Sequence, residues 1–310
     1  MSRRSAPDSV GAFILHDQLL APLTTWGVGG YAKTLVTPRS RDELIEAIGW
    51  LKTCCSSFFT LGGGSNVLIG DGVIDIPVLR TTETRDLRVS VDGENVFIDC
   101  AAGTKLSEVL ALTIKEGWSG LEFAAGIPGT VGGALSGNAG TLRGAMDKSV
   151  VMVQTVEEDG SKHEWKADDM KWGYRRCGLL ENTSRVVIGA KLKLSLSDRG
   201  LVLAAVKEAL ESRGLQPCGH RTAGCVFKNP QGHSAGMLLD RAECKGLVVG
   251  GARVSAAHAN FIENMGACSA RNIMQLALIC KKRVFEMFGV TLSFEIKTLG
   301  IQEEDIYVGR

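Results

Sequence analysis

The sequence predicts an α+β protein built from two or three packed units. Three observations favour this class: helix and strand signals alternate along the chain, hairpin signals recur, and the sequence changes character near residue 214. With 310 residues, of which 45% are hydrophobic and 22% charged, the chain can bury a substantial core. Because hairpin signals recur, a simple parallel βαβ sheet is the less favoured arrangement.

The first elements follow from capping and periodicity. Residues 40–53 are predicted to form a helix, because Ser40 and Glu43 make a capping box ahead of an apolar stripe. The next predicted elements are a strand at 58–61, a strand at 96–100 and a helix at 106–116 that ends at Gly117.

The later elements begin with a hairpin. Residues 150–156 and 163–165 are predicted strands, and Asp159-Gly160 between them is a hairpin turn signal. The remaining predicted elements are a strand at 185–196, a helix at 201–213 with Gly214 at its C-terminal end, a helix at 270–288 ending at Gly289, and a final strand at 291–299. The turn-rich sequence after Gly214 predicts a domain boundary there.

The composition argues against several functional classes. The formal net charge is +1, from 35 basic and 34 acidic residues, so a general nucleic-acid binder is not expected. No apolar stretch approaches the length of a membrane span, and none resembles a signal peptide. We therefore expect a cytoplasmic protein with no membrane association and no obligate protein partner.

The nine cysteines do not form a recognisable metal or disulfide pattern. Their number is odd, no C-x-x-C pair occurs, and the five histidines are not spaced with them as zinc ligands. We expect no metal site, and we expect most of the thiols to be small buried apolar groups.

Three glycine-rich segments carry the strongest functional signal. They are residues 24–30, 61–68 and 124–140. Glycines allow consecutive backbone N–H groups to point to one side of a turn, which makes an anion-binding nest. None of the segments is followed by the Gly-Lys-Ser/Thr that defines a P-loop. None contains a G-x-G-x-x-G followed by the acidic residue of a Rossmann fold. One such run would be read as a tight turn, but three together predict a dinucleotide-like cofactor held in a non-Rossmann manner.

The segments resemble the flavin-binding loops of the UDP-N-acetylenolpyruvoylglucosamine reductase family. The likeness spans roughly residues 17–300 and continues through motifs at 174–177, 223–230, 246–255, 258–262 and 294–297. It implies a vanillyl-alcohol-oxidase-like (PCMH-type) FAD-binding fold, and the compact stretch from Tyr174 to Cys225 is similar to the shorter subtype that lacks an extra substrate loop. The implied division is an N-terminal tail at 1–16, an FAD-binding domain at 17–214 with a break near 85, a substrate-binding domain at 215–303 and a C-terminal tail at 304–310.

The resemblance also implies the chemistry. NADPH would reduce non-covalently bound FAD, and the flavin would pass hydride to the enolpyruvyl group of a UDP-sugar, giving UDP-N-acetylmuramate. The implied FAD-binding residues are Gly62, Gly63, Gly64, Ser65, Asn66, Gly126, Ile127, Pro128, Gly129, Thr130, Gly132, Gly133, Asn138, Ala139 and Gly140. The implied substrate-binding residues are Tyr174, Lys228 and Asn229, and His258 is expected to be structural.

Three residues are the implied catalytic groups. Hydride transfer to a carbon–carbon double bond conjugated to a carboxylate leaves negative charge that must be stabilised and protonated. The resemblance assigns the stabilisation to Arg175 and Glu295. The proton donor is serine in the family pattern, whereas this sequence has Cys225. A cysteine thiol has a reference pKa of about 8.5 and can donate a proton, so we expect Cys225 to keep the role.

Two other readings remain open at this point. One is a different flavoprotein of the same fold that oxidises an alcohol or a hydroxy acid, although residues 62–66 contain no histidine for covalent attachment of FAD. The other is a catalytically inactive protein that binds flavin or a nucleotide sugar. The Cys225 substitution favours the second reading, and the presence of Arg175 and Glu295 opposes it.

Overall fold

The chain is described by a computed structural model that covers residues 8–181, 183–214, 216–217 and 221–301. Cys218 and the segments 1–7 and 302–310, which include the predicted C-terminal tail, lie outside the described residues. The α-helices in the described part are α1 (Asp8–Gly11), α2 (Arg41–Cys54), α3 (Leu106–Glu116), α4 (Val131–Ser136), α5 (Arg199–Glu211), α6 (Ala235–Arg241) and α7 (Ala270–Phe288). None of these helices has the length and apolar character needed to cross a membrane.

Most strands are short. In chain order they are β1 (Ile14–Leu19), β2 (Tyr31–Val36), β3 (Phe59–Leu61), β4 (Val67–Ile69), β5 (Val73–Ile74), β6 (Val78–Arg80), β7 (Leu87–Asp92), β8 (Asn95–Ala101), β9 (Trp118–Ser119), β10 (Gly140–Thr141), β11 (Gly144–Ala145), β12 (Val150–Val156), β13 (Lys162–Lys166), β14 (Trp172–Gly173), β15 (Arg176–Cys177), β16 (Val186–Leu196), β17 (Val248–Val249), β18 (Ala252–Val254), β19 (Ile262–Asn264) and β20 (Lys297–Leu299).

The chain divides into two compact units that are each discontinuous in sequence. The first unit comprises 1–16, 34–63 and 76–214, and the second comprises 17–33, 64–75 and 215–310. Both units contain helices and strands, in agreement with the predicted α+β class. Segments 17–33 and 64–75 belong to the second unit by their contacts, whereas the division into FAD-binding and substrate-binding domains was made along the sequence and stays a prediction.

An antiparallel sheet dominates the first unit. Its strands follow the order β13-β12-β16-β8-β7, and β9 pairs with the end of β16. The predicted hairpin is confirmed: Val156 faces Lys162, and Gly160 adopts a φ of 88° in the turn between β12 and β13. Apolar residues on the buried side of the sheet, including Ile98 and Leu192, lie in one core cluster with residues of α3, and each such side chain contributes about 1.5–3 kcal/mol.

A small parallel sheet also belongs to the first unit. The end of β2 and all of β3 pair in parallel with β6. Helix α2 connects β2 to β3 and buries Leu44, Ile48 and Leu51 against Val36 and Leu79. The parallel βαβ arrangement that we disfavoured for the whole chain is therefore present locally, because α2 supplies an apolar stripe long enough to cover this sheet.

The capping signals located most helices well. Helix α2 begins after Ser40, which accepts a hydrogen bond from the Glu43 N–H, and α3 ends at Gly117 in the left-handed conformation. Helix α5 is the exception, since it spans 199–211 instead of 201–213. Asp198 caps its start by accepting from the Leu201 N–H, so the helix begins two residues earlier than predicted. Gly214 lies beyond its end.

A single apolar core organises the second unit around α7. Trp26 is fully buried in this core, its Nε1 donates to the Ile262 carbonyl (2.8 Å), and Asn264 Nδ2 donates to the Trp26 carbonyl (2.7 Å). Asp71 accepts hydrogen bonds from the first two N–H groups of α7, at Ala270 (2.8 Å) and Arg271 (3.1 Å). These contacts explain why 17–33 and 64–75 belong with the C-terminal segment.

Two predictions at the ends of the chain need correction. The predicted tail at 1–16 contains α1 and the start of β1, because Val10 and Phe13 are buried against the α2 cluster. The predicted strand at 291–299 is reduced to β20, which pairs in parallel with β4. The residues before it are hydrogen-bonded differently: Phe294 makes an isolated bridge to Phe227, outside any regular ladder.

Candidate active site

Two of the glycine-rich segments meet inside the first unit. A Cβ atom on Gly62 would lie 2.7 Å from Thr130 Oγ1, and a Cβ on Gly63 would lie 2.8 Å from the Gly129 Cα. Gly129 itself has a φ of 108°, a conformation that L side chains rarely adopt. The two loops therefore approach so closely that only glycine fits at these positions.

Helix α4 begins where these loops meet. Thr130 is its N-cap and accepts a hydrogen bond from the Gly133 N–H (3.4 Å). Gly132 packs against Ala102, and a Cβ at this glycine would lie 2.9 Å from the Ala102 Cβ. The N–H groups of Val131 and Gly132 donate to carbonyls of the β8–α3 connection, so these two groups hold the loop in place instead of facing a ligand.

The end of the third glycine-rich segment is also tightly constrained. Asn138 is buried with a φ of 40°, and its side chain donates to the Gly173 carbonyl (3.2 Å) and accepts from the Asp147 N–H (3.1 Å). Gly140 pairs with Ala145 across β10 and β11. The Asn138 amide therefore links the predicted FAD-binding segment to the hairpin that carries Tyr174 and Arg175.

Arg175 lies at the tip of that hairpin. Gly173 pairs with Arg176, so Tyr174 and Arg175 are the two loop residues between β14 and β15. Arg175 is half-buried and has a φ of 53°, which is uncommon for a residue with a side chain. Its guanidinium carbon lies 5.6 Å from the centre of the exposed Tyr174 ring, within cation–π range.

The segments that carry the other two predicted catalytic residues are paired in the second unit. The Glu295 N–H donates to the Val226 carbonyl (2.8 Å), directly after Cys225 in sequence. Cys225 bridges to Phe261, follows Gly224 at a φ of 77°, and is half-buried, as is Glu295. The fold thus brings the backbones of Cys225 and Glu295 together across about 70 residues of sequence.

Asn260 is the residue at this site that sequence reasoning missed. It is buried, its side chain accepts from the Phe227 N–H (2.9 Å), and it donates to the Phe227 carbonyl (2.8 Å). The Asn260 amide therefore acts like a neighbouring strand for the chain just after Cys225. The only sequence signal was its position in the 258–262 motif, to which we assigned no role for this residue.

Two of the predicted substrate-binding residues, Lys228 and Asn229, continue the same segment. The Lys228 N–H donates to the Ser293 carbonyl (2.9 Å), and Asn229 Oδ1 accepts from the Ala235 N–H at the start of α6 (2.9 Å). Asn66, predicted to contact FAD, donates from Nδ2 to the Glu295 carbonyl (3.2 Å). Asn66 therefore contacts the backbone of a predicted catalytic residue.

His258 makes contacts within its own loop. Its Nδ1 accepts from the Asn260 N–H (3.2 Å), and its ring packs edge-on against Phe261. Burial lowers the pKa of His258 below its usual range, so the ring stays neutral and keeps this acceptor. The imidazole thus supports the loop that contains Asn260.

The first glycine-rich segment belongs to the second unit. The Thr25 N–H donates to the Gly64 carbonyl (3.0 Å), and the Arg221 side chain crosses over Gly27, 3.4 Å from the position of a Cβ. Thr25, Gly27 and Arg221 border an open pocket of about 370 Å³. Together with Gly64, this segment forms a second glycine-dependent turn.

The cysteines match the expectation only in part. Cys100, Cys177, Cys244 and Cys280 are buried, and burial raises the pKa of Cys100 to about 12. Cys54 is exposed, while Cys55, Cys225 and Cys268 are half-buried. The four buried thiols fit the expectation of small buried groups, whereas the exposed and half-buried thiols do not.

Comparison with known proteins decides the family. Residues 216–299 match the model of the UDP-N-acetylenolpyruvoylglucosamine reductase C-terminal domain, and residues 32–165 match that of an FAD binding domain. The reductase of this name from Desulfosudis oleivorans is 39% identical over 92% of this chain and 94% of its own length. This chain belongs to the UDP-N-acetylenolpyruvoylglucosamine reductase family.

Two other members of the family are also similar to this chain along most of its length. The reductase of the same name from Moorella thermoacetica is 37% identical over 93% of both chains. The crystal structure of the Thermus caldophilus reductase superposes with a TM-score of 0.75 at 34% identity, over 91% of this chain and 97% of that one. The predicted family and the predicted α+β FAD-binding fold are therefore confirmed.

Proposed function

We propose that this chain uses NADPH to reduce UDP-N-acetylglucosamine-enolpyruvate to UDP-N-acetylmuramate, a peptidoglycan precursor, by way of bound FAD. The observation that carries the proposal is the pairing of the Cys225 and Glu295 segments in a chain that matches reductases of this name over nine-tenths of its length. A protein that only bound flavin would have no need to bring these two segments together.

The glycine-rich loops fit FAD. Gly62 and Gly63 have no room for a Cβ, and Gly129 has a φ of 108°, so the backbone at these glycines can approach a diphosphate without side chains in the way. In this proposal the loops of the first unit, with Asn138 fixing their far end, hold the cofactor. Bound FAD would supply the hydride for the reaction.

Arg175 would bind the carboxylate of the enolpyruvyl group. A guanidinium is charged at every physiological pH, and its planar fork matches a carboxylate. Its position in a two-residue hairpin loop with positive φ fixes the backbone, and the Tyr174 ring restricts the side chain. This geometry would concentrate positive charge where negative charge develops after hydride addition.

Cys225 would complete the reduction by protonating the carbon beside the carboxylate. The hydride adds to one carbon of the double bond and the thiol proton to the other, so the C=C bond becomes C–C and the cysteine is left as a thiolate that regains a proton from solvent. Glu295, on the segment paired with Cys225, would orient the carboxylate end of the substrate. Lys228 and Asn229, next along the chain, would bind the UDP-sugar.

An anaerobic spectroscopic titration tests the proposed reaction. The purified, FAD-loaded protein is mixed first with NADPH and then with the enolpyruvyl sugar, while the visible flavin absorption is followed. We expect bleaching by NADPH and recovery with the sugar, with one UDP-N-acetylmuramate formed per flavin. Bleaching without recovery would contradict the proposed substrate, and failure to bleach would contradict NADPH as the reductant.

A further inference from the structure

The end of α2 carries two adjacent cysteines whose side chains converge. The Sγ atoms of Cys54 and Cys55 are 3.3 Å apart. Cys54 is the last residue of the helix and is exposed, and Cys55 is its extended C-cap and is half-buried. Cys54 is therefore open to solvent, whereas Cys55 is partly covered by its packing against the α2 cluster, and neither belongs to the proposed active site.

The surroundings of this pair narrow the kind of ligand. Structural zinc and iron–sulfur sites use four protein ligands. Within the part of the chain that the structure describes, no group of three or more His, Cys, Asp or Glu side chains is placed to hold a metal ion. A ligand of the Cys54–Cys55 pair must accordingly be satisfied by two thiols.

Geometry distinguishes a chelate from a disulfide. Neighbouring Cα atoms are about 3.8 Å apart, whereas disulfides prefer Cα–Cα separations of about 4.4–6.8 Å and an S–S bond of about 2.05 Å. Closing a disulfide would require the sulfurs to approach from 3.3 Å within a strained ring. A pyramidal centre such as trivalent arsenic forms two As–S bonds at close to a right angle, so the two sulfurs stay apart.

We propose that Cys54 and Cys55 form a bidentate binding site for trivalent arsenic compounds. An organoarsenic oxide, R–As=O, reacts with both thiols to give R–As(S–Cys)₂ and one water. Two As–S bonds form, the As=O bond breaks, its oxygen leaves with the two thiol protons, and arsenic stays trivalent. The site is independent of the proposed reductase reaction.

The protonation state of Cys54 suits this reaction. Partial desolvation of its thiol in the otherwise exposed residue, together with the hydrogen bond to Cys55, raises the pKa of Cys54 to about 12. Cys54 is therefore a thiol at neutral pH, which disfavours oxidation through its thiolate. Arsenic binding does not need a preformed thiolate, because the protons leave with the arsenic oxygen as water.

Phenylarsine oxide is a suitable probe of the FAD-loaded protein. Non-denaturing mass spectrometry should show one phenylarsenic group per chain, with the loss of two titratable thiols and reversal by a dithiol but not by a monothiol. In Cys54→Ser and Cys55→Ser, binding should weaken by at least about a hundredfold, because the second As–S bond forms within the same molecule. Cys268→Ser, which removes a half-buried single thiol, should bind like the wild type.

Two results would overturn the proposal. One is undiminished arsenical binding by the Cys54→Ser and Cys55→Ser variants, which would place the site elsewhere in the chain. The other is rapid closure of the pair to a Cys54–Cys55 disulfide by diamide, with no arsenical bound beforehand by the reduced protein. Flavin reduction by NADPH does not enter either measurement, so failure of the reductase proposal would not alter the outcome.

Discussion

The two regions predicted to form the active site are held in shape by opposite means. In the first unit, Gly62 and Gly63 have no side chain, which lets their turn pack closely against Thr130 and the Gly129 backbone. In the second unit, the chain after Cys225 is held by a buried side chain, the Asn260 amide, which replaces a neighbouring strand. The glycine-rich loops of the first unit therefore depend on close backbone contact, whereas the Cys225 segment of the second unit depends on one buried polar residue.

Substitutions in the two regions should therefore have different effects. Adding a methyl group should impair ligand binding in the glycine loops, while removing an amide should destabilise the second unit.

Asn260→Ala should have the largest effect on stability. It leaves the buried N–H and carbonyl of Phe227 without their partners, and each buried group left unsatisfied costs about 1–3 kcal/mol. Denaturant unfolding should therefore show a loss of about 2–6 kcal/mol. Gln275→Ala, which truncates a half-buried amide on α7 in the same unit, should change stability by less than about 0.5 kcal/mol. Equal losses in the two variants would contradict the role of Asn260.

Gly63→Ala should weaken FAD binding. The new Cβ would lie 2.8 Å from the Gly129 Cα, and such overpacking costs about 1–3 kcal/mol, which corresponds to about 5- to 150-fold in affinity. The measurement is a fluorescence titration of the apoprotein with FAD. Gly49→Ala in α2, where a Cβ meets nothing within 4 Å, should leave FAD affinity unchanged and stabilise the helix by about 0.5–1 kcal/mol. Wild-type affinity in Gly63→Ala would refute the close-contact account.

His258→Gln should have the smallest effect, which is visible only as a pH dependence. Burial lowers the pKa of His258 in the folded protein, so the unfolded chain binds the proton first as pH falls. The neutral histidine is compatible with full stability above the unfolded pKa of about 6.5, and stability declines below that pH down to the folded pKa. Unfolding between pH 7 and 5 should be less pH-dependent in His258→Gln than in the wild type. The exposed His233→Gln variant serves as the control, and a profile identical to wild type in His258→Gln would contradict the assignment.

Local signals predicted much of the fold. The caps at Ser40, Gly117 and Gly289 located α2, α3 and α7 because each signal acts through a hydrogen bond or a backbone conformation within one turn of the helix. The discontinuous units could not be read from the sequence, because Trp26 and Asp71 join the second unit through contacts with residues about 200 positions away.

In the predicted site, too, local features could be predicted from the sequence and contacts between distant segments could not. The glycine density of 61–68 and 124–140 pointed to the loops that meet at Gly63 and Gly129, since glycine records close backbone approach directly in the residue type. The strand predicted at 291–299 failed because apolar alternation at Leu292, Phe294 and Ile296 does not reveal which segment pairs with it. Asn260 was missed for a related reason: an amide that replaces a strand looks like any loop asparagine.

In the proposed reaction, Cys225 gives the proton that completes reduction of the enolpyruvyl group. The most direct measurement is stopped-flow reoxidation of the NADPH-reduced, FAD-loaded protein by the enolpyruvyl sugar, compared for wild type, Cys225→Ser and Cys225→Ala. We expect all three to be reduced by NADPH at similar rates. Reoxidation should persist in wild type and Cys225→Ser and fall by about 10²–10⁴-fold in Cys225→Ala, the usual contribution of a positioned general acid. Reoxidation of Cys225→Ala at the wild-type rate would contradict the account.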